Sequence, residues 1–247
     1  MINLFSEKEI GILKKGGKVL ATILNQLATE TKTGVTGSYL NTKAEDLIRQ
    51  KGARPSFLGY RGFPASLCVS INDEVVHGVP DEREFKNGDL VGLDLGLIYQ
   101  NLYLDKATTV IVDEEDENKR KFLSTIEEAL DLGIQKAKAG HNLGEVSAII
   151  EKTILDEGYG LVRNLYGHGV GRKVHEEPKI PNFGKKTDGP VLKEGMVLAI
   201  EPMATMGKGD IKVKDNGTVA TLDSSLSGHF ENTMAITKKG PVILTRI

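Results

Sequence analysis

Residues 89–112 of the chain, DLVGLDLGLIYQNLYLDKATTVIV, have the composition of two apolar β-strands joined by a short turn. One aspartate lies inside each strand: Asp94 stands between two leucines, and Asp105 follows another leucine. Burying a carboxylate is costly unless it is paired with a cation or hydrogen-bonded. These two acids therefore decide how the rest of the chain is interpreted.

The turn between the strands determines whether the two aspartates share a face. On one continuous strand an odd spacing would put them on opposite faces. A turn centred on Tyr99-Gln100 instead predicts an antiparallel hairpin with Asp94 directly opposite Asp105, their Cβ atoms about 5 Å apart. Two carboxylates at that distance repel each other, which predicts a divalent cation between them. The alternative is an exposed hairpin whose two acids lie on its solvent-facing side.

Composition restricts the class of protein. The chain has 247 residues, 39% hydrophobic and 27% charged, with a net charge of −2. No apolar run approaches the roughly 20 residues that cross a bilayer, and no signal peptide is evident. The single cysteine, Cys68, excludes an intrachain disulfide and any CxxC metal site. We expect a cytoplasmic enzyme or binding domain, without membrane or nucleic-acid partners.

Hydrophobic periodicity predicts helices over residues 6–31, 40–50, 116–138 and 143–157, with strands between and after them. Ser6 and Glu9 fit a capping box at the start of the first helix. The order of helices, strands, helices and strands predicts an α+β fold with two similar halves. We expect residues 1–247 to form a single domain.

Three later residues strengthen the metal hypothesis. Glu201 in MVLAIEPMATM and Glu231 in GHFENTMAI repeat the pattern of an acid inside an apolar strand. His168 lies in the glycine-rich segment YGHGVGR, where a histidine taken alone is more often a structural turn residue. Oxygen-rich ligation with one imidazole suits ions such as Mn²⁺ or Fe²⁺. Four carboxylates carry more charge than one ion balances, which predicts two ions roughly 3.5–4 Å apart.

The other histidines are open to two interpretations. His77 in EVVHGVP and His175 in KVHEEP are candidate site residues, but each could be a hydrogen-bonded turn residue. His141 and His229 have no supporting context, and we expect both to be structural.

The segments EVVHGVP, YGHGVGRKVHEEP, MVLAIEPM and GHFENTMAIT, together with Asp94 and Asp105, occur in the order found in the type I methionine aminopeptidases. The resemblance covers essentially the whole chain. It implies the pita-bread α+β fold of that family, in which two pseudo-symmetric halves surround a central antiparallel sheet. It also implies a metal-dependent hydrolase that removes the initiator methionine from nascent proteins when the second residue is small.

The resemblance assigns roles residue by residue. The implied ligands of two divalent ions (Co, Mn, Fe or Zn) are Asp94, Asp105, His168, Glu201 and Glu231, and Asp105 and Glu231 would bridge both ions. The implied catalytic residues are His77, His175 and Glu201, and the two histidines would also bind substrate. Tyr60, Phe63 and Cys68 match the apolar pocket for the methionine side chain. The implied partner is a nascent polypeptide close to the ribosome, and we expect a monomer that acts as one catalytic domain.

The sequence departs from the family pattern at three positions. Lys106 follows Asp105 where a small or hydroxylated residue is usual, and on a strand its side chain should point away from that ligand. Gly217 replaces a bulky aromatic residue at the pocket rim, and Val174 replaces a phenylalanine. These changes leave the selectivity for the second residue open.

Two other functions fit the same motifs. The first is an X-Pro aminopeptidase or prolidase, which uses the same five ligands but usually carries an extra N-terminal domain. The second is a metal-free binding module on the same fold, although such proteins typically lose ligands that are all present here.

Overall fold

The computed structural model describes residues 2–113 and 116–247. In these ranges the helices are α1 (Glu7–Glu30), α2 (Gly37–Gln50), α3 (Glu117–Lys136) and α4 (Gly144–Asp156), with a 3-10 helix at Tyr60–Gly62. The strands are β1 (Arg54–Pro55), β2 (Leu67–Ile71), β3 (Glu74–Val76), β4 (Leu90–Tyr99), β5 (Leu102–Ile111), β6 (Gly160–Leu161), β7 (Tyr166–Gly169), β8 (Glu176–Pro181), β9 (Val197–Ile200), β10 (Met203–Thr205), β11 (Ile211–Val213), β12 (Val219–Thr221), β13 (Ser227–His229), β14 (Asn232–Thr237) and β15 (Gly240–Ile243). Helices and strands alternate in blocks, as predicted.

The first half of the molecule is a helix pair packed on an antiparallel sheet. Strand β4 pairs with β5 along one edge and with β1 and β2 along the other. The predicted capping box is present at the start of α1, where the Ser6 hydroxyl accepts from the Glu9 amide and the Glu9 carboxylate accepts from the Ser6 amide. The apolar face of α1 is buried in the same core as the leucines of β4 and β5, and each such side chain contributes about 1.5–3 kcal/mol.

The β4–β5 hairpin forms, but its register differs from the predicted one. Asp94 lies opposite Ala107, and Asp105 lies opposite Gly96, so the two acids are diagonal neighbours rather than a directly opposed pair. The turn is Gln100-Asn101, where both residues have positive φ, as a two-residue turn of type I′ requires. Asparagine adopts this conformation more readily than tyrosine. The resulting shift is two residues, and because that number is even both acids remain on one face.

The second half repeats the plan of the first. Helices α3 and α4 pack on a five-stranded antiparallel sheet in the order β15-β14-β9-β7-β8. Their apolar faces share one buried core with the strands, including Phe122, Ile150 and Leu198. Helix α4 ends before Gly158, which has a φ of 79°. Two helix-plus-sheet halves were predicted, and the structure has them.

Hydrogen bonds join the two halves where the acidic strands meet. The Thr233 hydroxyl on β14 accepts from the Asp105 amide at 3.0 Å and donates to the Asp105 carbonyl at 2.7 Å. The Thr109 hydroxyl on β5 makes the same two-sided contact with the backbone of His229. Two three-stranded sheets, β13-β10-β6 and β11-β12-β3, lie beside this junction. The seam between the halves is therefore held at the residues that carry the predicted chemistry.

Among residues 2–113 and 116–247, no helix is both long enough and apolar enough to cross a membrane.

Candidate metal centre and active site

A cleft of about 950 Å³ brings the predicted site residues together. All of them line it, although they come from widely separated parts of the chain: Tyr60, Phe63, Cys68, His77, Asp94, Asp105, His168, His175, Glu201 and Glu231. Gly217, one of the departures from the family pattern, also lines the cleft. The spatial grouping that the resemblance implies is therefore present.

Three buried residues form the centre of the cluster. One ligand atom from each of Asp105, His168 and Glu231 lies within 4.8 Å of the other two. The Nδ1 atom of His168 is 3.0 Å from the Gly169 carbonyl oxygen. Because a carbonyl oxygen only accepts, Nδ1 carries the proton and Nε2 presents a lone pair to the cluster. This tautomer is the one that binds a metal through Nε2.

Glu201 and Asp94 complete the set of five. Glu201 Oε1 lies 3.5 Å from His168 Nε2. Within the described part of the chain, Asp94 Oδ1 and Glu231 Oε1 are buried without a hydrogen-bond partner. Buried polar atoms are normally paired. Unpaired carboxylate oxygens beside an imidazole lone pair fit a site for divalent cations.

The pKa values of the four carboxyl groups support this interpretation. Burial raises the pKa of Asp94 to about 6 and that of Glu201 to about 8. Burial, followed by the charges of neighbouring carboxylates, raises the pKa of Asp105 and of Glu231 well above the ordinary range. Without a cation the cluster therefore holds protons, and a divalent ion would replace them.

Strand breaks, rather than strand interiors, position two of these ligands. Glu201 follows β9 and precedes Pro202, and Glu231 lies between β13 and β14. The prediction that both lie within continuous strands was wrong. His168, expected in a turn, lies in β7 beside a register shift at His168/Gly169. A break or bulge redirects the side chain, which lets acids from different strands point to one place.

Two histidines flank the cluster on the open side of the cleft. His175 Nδ1 is 3.0 Å from the Tyr60 hydroxyl, and its ring centroid is 4.3 Å from that of His168. Desolvation lowers the pKa of His175 to about 3 and also lowers the pKa of His77. Both rings are therefore neutral at pH 7 and can donate or accept a hydrogen bond.

An apolar pocket adjoins the cluster. Phe57, Cys68 and Val174 form a small buried group, and Tyr60 and Phe63 pack against it. Tyr60, Phe63 and Cys68, which were predicted together, lie together here and line the cleft.

Lys106 points away from the cluster, as its position on β5 predicted. Its Nζ donates to Asn232 Oδ1 at 2.8 Å, on the face of the hairpin opposite Asp105. The lysine is therefore not interposed among the ligands.

His229, expected to be structural, lies beside the cluster: its Nε2 is 3.3 Å from Glu201 Oε2, and its ring is 4% exposed. The available signal was its spacing: it precedes Glu231 by two residues, which would place both side chains on one face of a strand. His141, which was also expected to be structural, pairs with Glu145 on the surface.

Comparisons with known proteins identify the family. The model of metallopeptidase family M24 matches residues 11–238. The chain is 45% identical to a methionine aminopeptidase from Clostridium perfringens over 248 residues, which cover 100% of both proteins. The chain belongs to metallopeptidase family M24. Its membership makes it a hydrolase and supports dependence on a divalent metal.

Solved structures place the chain within M24. A methionine aminopeptidase from Thermotoga maritima superposes with a TM-score of 0.97 at 41% identity, covering 100% of both chains. A prolidase from Pyrococcus furiosus gives a TM-score of 0.81 at 27% identity, and the match covers 99% of this chain but 65% of the prolidase. The predicted pita-bread fold, which both enzymes share, is confirmed. The chain resembles the type I methionine aminopeptidases more closely than the X-Pro enzymes of the alternative hypothesis.

Proposed function

We propose that this M24 enzyme removes the N-terminal methionine from peptides and nascent proteins whose second residue is small. The observation that carries the proposal is the shared cleft, in which an apolar pocket, two neutral histidines and a cluster of buried carboxylates are adjacent. Full-length similarity to methionine aminopeptidases supports the same activity.

The ligands of the proposed centre are Asp94, Asp105, His168, Glu201 and Glu231. Two ions fit the donor set better than one, because four carboxylates would leave a single divalent ion overcompensated. Mn²⁺, Fe²⁺, Co²⁺ and Zn²⁺ are all compatible with carboxylate and imidazole donors. Ions bound there would supply Lewis acidity and a hydrolytic nucleophile near neutral pH.

His77 and His175 bind and orient the scissile amide. Both line the open side of the cleft with neutral rings. The Tyr60 hydroxyl, at 3.0 Å from His175 Nδ1, holds that ring in place, so that Nε2 faces the substrate. A preorganised donor stabilises the negative charge that develops on the carbonyl oxygen.

Glu201 moves the proton during hydrolysis. Its carboxyl group lies in the cleft among the proposed ligands, with Oε1 3.5 Å from His168 Nε2, a position suited to a general base and acid. It accepts a proton from the attacking water and returns it to the departing amine. The C–N bond breaks, a C–O bond forms, and the products are free methionine and a shortened chain.

The pocket of Tyr60, Phe63 and Cys68 selects the methionine side chain. Gly217, which lines the cleft, adds no side chain there, and Val174, buried beside Phe57 and Cys68, fills less space than an aromatic residue. The limit on the size of the second residue is therefore less strict than in enzymes with aromatic residues at these positions.

The same proposal extends to the domain organisation, oligomeric state and location of the enzyme. We infer that residues 1–247 act as one catalytic domain, monomeric and cytoplasmic, on chains emerging near the ribosome. Sedimentation of the purified chain at micromolar concentration tests the monomer directly.

Metal titration tests the activity. The protein is stripped with chelator, Mn²⁺, Fe²⁺ or Co²⁺ is added back, and methionine release from Met-Ala-Ser is measured. Met-Leu-Ser, Leu-Ala-Ser and Ala-Pro are control substrates. We expect metal-dependent cleavage of Met-Ala-Ser, loss of activity in His175→Gln, and unchanged activity in His141→Gln, a surface histidine. Cleavage of Ala-Pro alone, or no cleavage by folded protein with any metal, contradicts the proposal.

A further inference from the structure

His229 is a buried imidazole at the metal centre that has no part in the proposed ligand set or in the proposed chemistry. Its ring is 4% exposed. Within the described residues its Nε2 has no hydrogen-bond partner of acceptable geometry. A buried donor or acceptor left unpaired is destabilising, so the unpaired Nε2 atom needs an explanation.

The unpaired nitrogen is directed at Glu201. Glu201 Oε2 lies 3.3 Å from His229 Nε2, while Oε1 lies 3.5 Å from His168 Nε2. The carboxyl group therefore stands between two imidazoles, one at each oxygen. His168 presents a lone pair on that side, because its proton is on Nδ1. The two neighbours are thus chemically different, and they can distinguish the two oxygens of Glu201.

The backbone holds His229 rigidly in this place. The Thr109 hydroxyl accepts from the His229 amide at 3.0 Å and donates to its carbonyl at 2.8 Å. Strand β13 pairs His229 with Met203, which follows Glu201 by two residues. The backbone of His229 is therefore paired with the strand that begins two residues after Glu201.

We propose that His229 is a positioning residue for Glu201, and that its Nε2–H donates to Glu201 Oε2. A rotation about the last side-chain torsion of Glu201, which is a soft torsion, brings the two atoms into line. Oε1 then stays on the His168 side, available to the metal and to the proton that moves during hydrolysis. Donors in this position orient a ligating carboxylate and tune its affinity. The assignment rests on the proposed function of the cleft.

Two substitutions distinguish the effect of the N–H donor from the effect of the volume of the ring. His229→Gln retains an N–H donor at a similar reach, whereas His229→Leu retains much of the volume and removes the donor. His141→Leu, on the surface of the chain, is the matched control. Circular dichroism and thermal melts of the metal-free proteins check that each variant folds. Co²⁺ affinity is measured by calorimetry, the Co²⁺ visible absorption spectrum is recorded, and kcat and KM are determined for Met-Ala-Ser.

We expect His229→Leu to weaken Co²⁺ binding by about 10- to 100-fold, to alter the Co²⁺ spectrum and to lower kcat more than it raises KM. His229→Gln should restore affinity and spectrum to within about threefold of the unmodified chain. Unchanged affinity and spectrum in folded His229→Leu would overturn the assignment. Equal defects in both variants would also overturn it, because a direct imidazole ligand would be indicated. If the unmodified chain binds Co²⁺ but releases no methionine, the proposed activity fails while the positioning role is still measured by affinity and spectrum.

Discussion

Glu201→Gln should remove a pH-dependent loss of stability from the metal-free protein. Burial raises the pKa of Glu201 from 4.5 to about 8. The folded chain therefore keeps this proton over a range in which the unfolded chain has released it. The stability associated with the protonated group is fully present below pH 4.5 and is lost as the pH rises through 8. At 1.36 kcal/mol per unit, the loss is about 3 to 4 kcal/mol between pH 5 and pH 8.

The amide should have an additional effect on the neighbouring acids. The charge of Glu201 raises the pKa of Asp105 and that of Glu231. Removing that charge lets both carboxyl groups ionise at lower cost in the folded state. Glu201→Gln is therefore expected to be more stable than the unmodified chain at pH 8 and closer to it at pH 5.

Urea unfolding of chelator-treated protein at pH 5, 6, 7 and 8 measures these differences. Glu82→Gln, which alters an exposed carboxylate, is the matched control and should follow the unmodified chain. Saturating Mn²⁺ should flatten the dependence in the unmodified chain, because ligating carboxylates are ionised. The same slope in Glu201→Gln and the unmodified chain would refute the reasoning.

Three further predictions follow from local geometry. Gly169→Ala should destabilise the chain by about 2 kcal/mol or more and weaken metal binding, because an added Cβ overlaps the Glu177 carbonyl oxygen. Gly11→Ala, in open space on α1, should instead stabilise the chain by about 1 kcal/mol. Thermal melts of the two variants measure both effects. Tyr60→Phe should reduce kcat/KM by about 2- to 10-fold through loss of one hydrogen bond to His175, measured with Met-Ala-Ser. Lys106→Met should change the Kd for Mn²⁺ by less than about threefold, since its Nζ lies on the far face of the hairpin; a tenfold change in calorimetry would contradict this.

Much of the fold was predictable because its signals are local. The capping box at Ser6 and Glu9 and the apolar stripe of α1 are properties of a few neighbouring residues, and the helix forms where they predict. Helix α2 begins earlier than the predicted residue 40, because the Thr36 side chain caps it by accepting from the Tyr39 amide. Such differences are small, since they concern the ends of elements rather than their existence.

The candidate site was predictable for a different reason. Asp94, Glu201 and Glu231 are acids in apolar surroundings, a combination that is costly unless a cation or partner is present. The predicted facing of Asp94 and Asp105 was wrong in register, but both acids still lie on one face because the shift is even. His229 was not singled out, because its spacing of two residues from Glu231 is its one local signal, and that spacing does not by itself distinguish a core residue from a residue beside the site.

The amino-acid sequence by itself determined the helices, the strands, the residue types of the site and, through the order of its motifs, the resemblance to one peptidase family. Tertiary structure alone decided the hairpin register, the breaks that redirect Glu201 and Glu231, and the place of His229 beside Glu201. The physical reason is that propensity and capping act between neighbours in the chain, whereas ligation and hydrogen bonding depend on distances through space. Those distances are set by the packing of the two halves against each other.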